Sequence, residues 1–381
     1  MLLTPKILIR LGIGLGCAAL LCSATAGLAE TRDKSELKPV RVVADRMMRM
    51  SIVRADGTQA SGKLPLYLSL DWTKPQPEVV RALLVFHGLH RSAESANAAG
   101  LEAIRHAGEA GKGTLLIAPR FLAQVDIDAH HPGADVLRWT TDSWSRGDNA
   151  LNAAISPFDA LDLILAQLAD QKIFSNLKSV VLAGHSAGGQ LVQRYAAVGR
   201  GGEMLIKNGV RLRYVVANPS SYVYFSAEWP AEQRVLSPGR QGGSHSRFRG
   251  RIVRGYNRWK YGMEDLPDYA HGARAEDMEQ RYVRRDVIYL LGTADDDPAH
   301  PELDISCAGE AEGPYRLFRG EAYFAYLAGK HPELRESGAR QQLWLVPGIG
   351  HDAKEMFHSA CGEAALFDAG SCGTRVLSPQ P

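Results

Sequence analysis

The 381-residue sequence predicts an α/β fold: a mostly parallel sheet flanked by helices, with one inserted segment. Three observations carry this. Short apolar runs of strand length alternate with stretches of helical spacing, and that alternation forms a parallel sheet covered on both faces. A Gly-x-Ser-x-Gly turn stands directly between one such strand and one such helix. The rhythm breaks once, over residues 219–285. At about 150 residues per domain, the length fits two domains or one large α/β domain with an insertion. A chain that is 45% hydrophobic and 23% charged is too apolar to be disordered. A mean hydropathy of −0.18 excludes a polytopic membrane protein. A formal net charge of +2 gives no nucleic-acid footprint.

Residues 1–29 read as a secretory signal peptide. Lys6 and Arg10 precede an apolar run from Leu11 to Leu21, and small residues follow at Ala24-Thr25-Ala26 and Gly27-Leu28-Ala29. Cleavage is expected after Ala26 or Ala29. The run is too short for a comfortable membrane span, so no stable membrane anchor is expected and the mature chain is periplasmic or secreted. The competing readings are an uncleaved anchor or a lipoprotein, but neither Cys17 nor Cys22 follows a lipobox. Removal of the segment takes two bases and no acid, which brings the net charge to about zero. Cys307, Cys361 and Cys372 remain. An oxidising compartment favours one disulfide with one thiol left over, and spacing does not choose the pair.

The core divides into residues 30–218 and 286–381. A half-buried strand is read at 63–70 from its alternation, then a buried strand at 81–86 that ends in His87-Gly88. A helix over 93–110 leads to a strand at 114–118. Ser156-Pro157-Phe158-Asp159 supplies an N-cap, a first-turn proline and a carboxylate at N3. It opens a helix with Leu161, Ile164, Leu165 and Leu168 on one face. Further strands are expected at 178–183, 211–217, 286–291 and 342–346. Residues 219–285 are read as a cap or lid insertion, rich in aromatics such as Tyr222, Tyr224, Trp229, Phe248 and Tyr261. Arg247, Arg249, Arg251, Arg254 and Arg258 cluster there too. The alternative is a surface excursion away from the site. Nearby acids, including Glu264, Asp265 and Asp268, offset the basic charge.

The most specific motif is Gly184-His185-Ser186-Ala187-Gly188-Gly189, between the 178–183 strand and a helix over 187–199. This context is a nucleophile elbow: the turn leaves no room for side chains at 184 and 188, and it presents Ser186 on a helix N-terminus. A serine needs a base to take its proton. Among twelve histidines, His351 follows the last strand in Pro347-Gly348-Ile349-Gly350-His351, beside the elbow. His185 and His87 read as locally packed, and His106, His331 and His358 as ordinary half-buried or solvated residues. The orienting carboxylate comes from Asp295-Asp296-Asp297 after the 286–291 strand, with Asp295 favoured and Asp296 next. The oxyanion hole takes the backbone N–H of Ala187 and of Leu89, the latter from the loop after 81–86. No metal or cofactor is expected. Asp126, Asp128, His130 and His131 read as a polar loop. Asp304 with the aspartate run lacks a calcium-loop pattern. Trp139 and Trp144 belong to the core or the cleft, and Asn218 to Tyr222 lie at the active edge.

The order Ser186, Asp295, His351 is that of the α/β-hydrolase superfamily. The chain resembles its secreted or periplasmic bacterial and fungal members, serine hydrolases of the esterase and lipase type. The blocks that carry the likeness include FHGLHRSAES (86–95), LAGHSAGGQLVQRYAA (182–197), LLGTADDDP (290–298) and VPGIGHDAKEMF (346–357). His90 stands where relatives often carry Asn. The resemblance implies the α/β-hydrolase fold, the triad Ser186, Asp295 and His351, and a Cys307–Cys361 disulfide that leaves Cys372 unpaired. The expected activity is hydrolysis of a small or polymeric carboxylic ester through an acyl-enzyme. The alternatives are a peptidase or amidase with the same triad, or a non-catalytic binding protein of the same fold.

Overall fold

The computed structural model describes residues 38–44, 46–54, 56–227, 255–336, 338–373 and 375–376. The expected signal peptide, and Trp229, Phe248 and Arg247 to Arg254 of the insertion, lie outside them. In chain order the strands are β1 (Arg46–Val53), β2 (Gln59–Leu68), β3 (Arg81–Phe86), β4 (Thr114–Pro119), β5 (Leu122–Ala123), β6 (Arg138–Trp139), β7 (Ser179–His185), β8 (Arg211–Ala217), β9 (Asp286–Gly292), β10 (Gln341–Val346) and β11 (Arg375–Val376). The helices are α1 (Ala93–His106), α2 (Gln124–His130), α3 (Ser143–Arg146), α4 (Pro157–Leu168), α5 (Ala187–Val198), α6 (Glu203–Lys207), α7 (Ala275–Val283), α8 (Cys307–Glu312), α9 (Arg316–Lys330), α10 (Ala353–His358) and α11 (Ala360–Phe367).

One nine-stranded sheet runs β1-β2-β4-β3-β7-β8-β9-β10-β11, and β5 and β6 form a separate small pair. The six strands from β4 to β10 are parallel, with antiparallel strands at both edges. This is the α/β-hydrolase fold. The central strands read as continuous apolar runs because both faces are covered. Every residue of β7 is buried, and so is every residue of α5 behind it. The polar side chains of α5 find partners inside. Gln193 donates to the Tyr323 hydroxyl at 2.9 Å and accepts from the Val223 N–H at 3.1 Å. Arg194 donates to the Ser145 carbonyl and to Ser221 Oγ, each at 2.9 Å.

The local signals hold where they were local. Ser156 caps α4: its Oγ accepts the Asp159 N–H at 3.0 Å, and Asp159 accepts the Ser156 N–H at 2.8 Å. The helix expected over 93–110 ends at His106, because Gly108 takes a φ of 54° and a short 3-10 turn follows. Strand β1 carries no clear signal. Its sequence RMMRMSIV mixes arginine with apolar residues, as suits an edge strand that pairs with β2 on one side.

The disulfide implied by the resemblance is corrected. Cys361 bonds to Cys372, not to Cys307. The two cysteines are 11 residues apart, with Cα atoms at 4.3 Å. Left-handed Asp368 (φ 57°) and Gly370 (φ 71°) end α11 and turn the chain back toward Cys361. The described residues within 219–285 lay their aromatics into the main core: Tyr222, Tyr224, Tyr256, Tyr261, Tyr269 and Tyr282 are all buried there. Among the described residues no helix is long and apolar enough to cross a membrane.

Candidate active site

The parallel strands all deliver their carboxyl ends to one edge. At β7 the chain turns from strand to helix at a single residue. Ser186 takes φ 57°, a left-handed conformation that is strained for a side-chain-bearing residue, and α5 starts at Ala187. Its N–H donates to the Ala217 carbonyl at 3.0 Å. The glycines are sterically required. A Cβ at Gly184 would lie 2.2 Å from the Gly188 oxygen, and one at Gly188 2.6 Å from the Phe86 oxygen. One at Gly189 would lie 2.6 Å from the Ala217 oxygen. As the first residue of α5, Ala187 has an N–H with no acceptor within the helix.

His351 follows β10. Its Nδ1 bonds Asp295 Oδ2 at 2.7 Å, and its Nε2 is buried with no hydrogen-bond partner among the described residues. Its ring lies 4.5 Å from that of His185, the residue before Ser186. Burial first, then His351, Arg316 and His300, push the His185 imidazole well below its usual range, so it stays neutral. Of the three aspartates after β9, Asp295 is buried and meets His351, whereas Asp297 is exposed and accepts the Ala299 N–H at 2.8 Å.

Two residues of this edge, Arg316 and His300, carry no signal in the sequence. Arg316, fully buried at the start of α9, donates from Nη1 to Asp295 Oδ1 at 3.3 Å and from Nε to Ser220 Oγ at 2.9 Å. Its Nη2 reaches His300 Nδ1 at 3.3 Å. His300 packs edge-on against His351, with ring centroids 4.9 Å apart. Asn218, placed by sequence at the active edge as part of a segment that shapes the pocket, is buried with φ 42°. Its Oδ1 accepts the Gly292 N–H at 2.9 Å and its Nδ2 donates to the Gly350 carbonyl at 3.2 Å. It thereby ties the ends of β8 and β9 to the loop that carries His351.

The loop after β3 is held from below. His87 is buried, and burial pushes its pKa down to about 3. The Phe121 N–H donates to His87 Nε2 at 3.1 Å, so the ring proton is on Nδ1 and donates to the Gly88 carbonyl at 2.9 Å. Arg91 (φ 58°) and Asp126 form a fully buried bidentate pair at 2.7 and 3.0 Å. Leu89 sits half-buried above them at the turn. His90 bonds Glu302 at 2.5 Å, which links this loop to the acid loop. Trp139 and Trp144 are fully buried, and Trp144 packs 4.5 Å from the His87 ring, so they belong to the core. Asp304 accepts from the Tyr261 hydroxyl at 2.7 Å and pairs with Lys260 at 3.1 Å. Among the described residues no group of His, Cys, Asp and Glu could hold a metal ion.

No family model matches the chain, and no curated protein sequence does. Solved structures are similar to it in fold. A poly(3-hydroxybutyrate) depolymerase from Bordetella parapertussis is 22% identical, over 85% of this chain and 90% of that one, with a TM-score of 0.53. A poly(aspartic acid) hydrolase from Sphingomonas sp. KT-1 is 20% identical over 84% and 96%, with a TM-score of 0.48. A siderophore hydrolase from Aspergillus nidulans is 13% identical over 87% and 97%, with a TM-score of 0.38.

Proposed function

We propose that the protein is a periplasmic or secreted serine hydrolase that cleaves carboxylic esters through an acyl-enzyme. The observation that carries this is the state of His351: one ring nitrogen is engaged by a buried carboxylate, and the other is buried without a partner among the described residues, on a ring 4.5 Å from that of His185, the residue before the strained Ser186. Ser186 attacks the ester carbonyl as His351 Nε2 takes its proton. Asp295 holds the ring and stabilises the imidazolium. The N–H groups of Leu89 and Ala187 bind the oxyanion, a contribution of about 10²–10³ in turnover per donor. His351 then gives the proton to the leaving alkoxide, activates a water, and the acid is released. No metal or cofactor is needed for any step.

The Bordetella fold neighbour is named for a polyester, which makes an oligomeric or polymeric ester a natural first substrate panel. The same machinery cuts amides, so matched esters and amides belong in the same panel. A fluorophosphonate probe tests the reading without a guess at substrate. It should label Ser186 stoichiometrically and leave a Ser186→Ala variant unmodified, with ester turnover lost in the variant. Folded wild-type protein that takes no label would sink the proposal and favour a non-catalytic binding protein.

A further inference from the structure

His300 has a defined protonation state. Its Nδ1 faces two groups that only donate: Arg316 Nη2 at 3.3 Å and the Glu302 backbone N–H at 3.2 Å. Nδ1 therefore carries no proton, and the single ring proton is on Nε2. An imidazolium would set an N–H against both donors and a positive charge against a buried guanidinium. Burial first, then Arg316 and His351, accordingly lower the His300 pKa. The residue is half-buried, and both hydrogen bonds of its ring are made at Nδ1. It is thus a neutral donor of fixed tautomer, on a ring packed edge-on against His351.

The position gives this donor a meaning if the hydrolase reading holds, on which the inference rests. His351 must hand its proton to the leaving oxygen, and of the two imidazoles packed against its ring, His185 is buried and His300 is half-exposed, so His300 is the one open to the alcohol part of a substrate. We propose that His300 Nε2–H binds an uncharged oxygen of that alcohol, making the protein selective for esters whose alcohol bears a carbonyl or ether oxygen a few bonds from the scissile ester. Asp296, Asp297 and Glu302 lie on the same loop, and their charge disfavours a carboxylate as the acceptor. An all-carbon alcohol would leave the donor unpaired, and sites built around a polar group discriminate against partners that lack it. Arg316 then has two tasks: it holds Asp295 and it sets the tautomer of His300.

The test compares two butanoate esters with alcohol chains of equal length: that of pentanol and that of methyl 3-hydroxypropanoate. The kcat/KM ratio of the second over the first is measured in wild-type protein, His300→Phe and His300→Asn. Intrinsic reactivity cancels between proteins. The ratio should fall about 5–10-fold in His300→Phe, the size of one neutral hydrogen bond, and be partly restored in His300→Asn, whose amide can donate. Fluorophosphonate labelling of Ser186 is followed in each protein. An unchanged ratio with labelling intact overturns the inference alone, whereas absent labelling in the wild type overturns the hydrolase reading beneath it. ¹⁵N NMR of the imidazole, which needs no variant, should show the neutral Nε2-protonated form at pH 7; an Nδ1-protonated ring or an imidazolium would also overturn it.

Discussion

Two buried arginine–aspartate pairs lie beneath the two loops that flank Ser186, and they are built differently. Asp126, under the loop after β3, accepts four hydrogen bonds: two from Arg91 at 2.7 and 3.0 Å, and the N–H groups of Val40 at 2.9 Å and Ala123 at 2.7 Å. Burial alone would raise its pKa, but Arg91 and the backbone donors outweigh that and hold the carboxyl below its usual range. Asp295, in the loop after β9, meets its arginine through one longer contact at 3.3 Å, and its other oxygen is given to His351 at 2.7 Å. A carboxylate saturated by fixed donors is scaffold. One that keeps an oxygen for a histidine is available to chemistry.

The largest effect separates the two in turnover. Asp295→Asn should lower kcat by about 10⁴-fold, because an amide neither stabilises the imidazolium nor enforces the ring tautomer. Acyl-enzyme formation followed with a nitrophenyl ester measures this. Asp126→Asn should leave acylation within about tenfold in whatever fraction stays folded, since Asp126 does not touch the reacting groups. Equal losses in the two variants would erase the distinction.

Stability should show the reverse similarity. Either substitution strands a buried guanidinium, at a cost of about 3–5 kcal/mol read from urea unfolding. Replacing each pair by apolar residues of similar volume, Arg91→Met with Asp126→Leu and Arg316→Met with Asp295→Leu, should recover most of that loss through coupling between neighbours. Turnover should return in the first double variant and not in the second. Recovery of turnover in the second would remove Asp295 from the mechanism.

Strands β3 and β8 begin and end where their apolar runs do, and β7, β9 and β10 within two residues, since a buried parallel strand advertises itself as a short run bounded by polar residues. The elbow was legible for the same reason: its glycines, serine and flanks are contiguous. Arg316 and His300 were not, and neither were the bonds of Asn218, whose place at the active edge was. Arg316 meets Asp295 across 21 residues, and Asn218 reaches Gly350 across 132. Nothing within a window around either residue marks such a partner. The cysteines failed differently: the resemblance supplied Cys307 for Cys361, while the local turn at Asp368 and Gly370 brings Cys372 there instead.

The smallest effect lies in pH, and it tests whether the loop after β3 is held by a neutral ring. His87 titrates near 6.5 when unfolded and at about 3 in the fold, so between those values the unfolded chain binds the extra proton. Stability from this residue is therefore complete above about pH 6.5 and is lost as pH falls toward 3, at about 1.4 kcal/mol per unit. Between pH 6.5 and 5 the loss is about 2 kcal/mol. His185, depressed by burial in the same sense, adds to the slope. His87→Gln keeps both contacts, an amide N–H for the Gly88 carbonyl and a carbonyl for the Phe121 N–H, without a titrating group. Urea midpoints at pH 7.5, 6 and 5 should therefore fall less steeply for the variant, so that its deficit at pH 7.5 shrinks or reverses at pH 5. Parallel lines would mean that His87 carries a proton in the fold. The ring would then need acceptors on both nitrogens, and the Phe121 N–H contact would have to break. That loss would free the β3 loop from the core on which Leu89 rests.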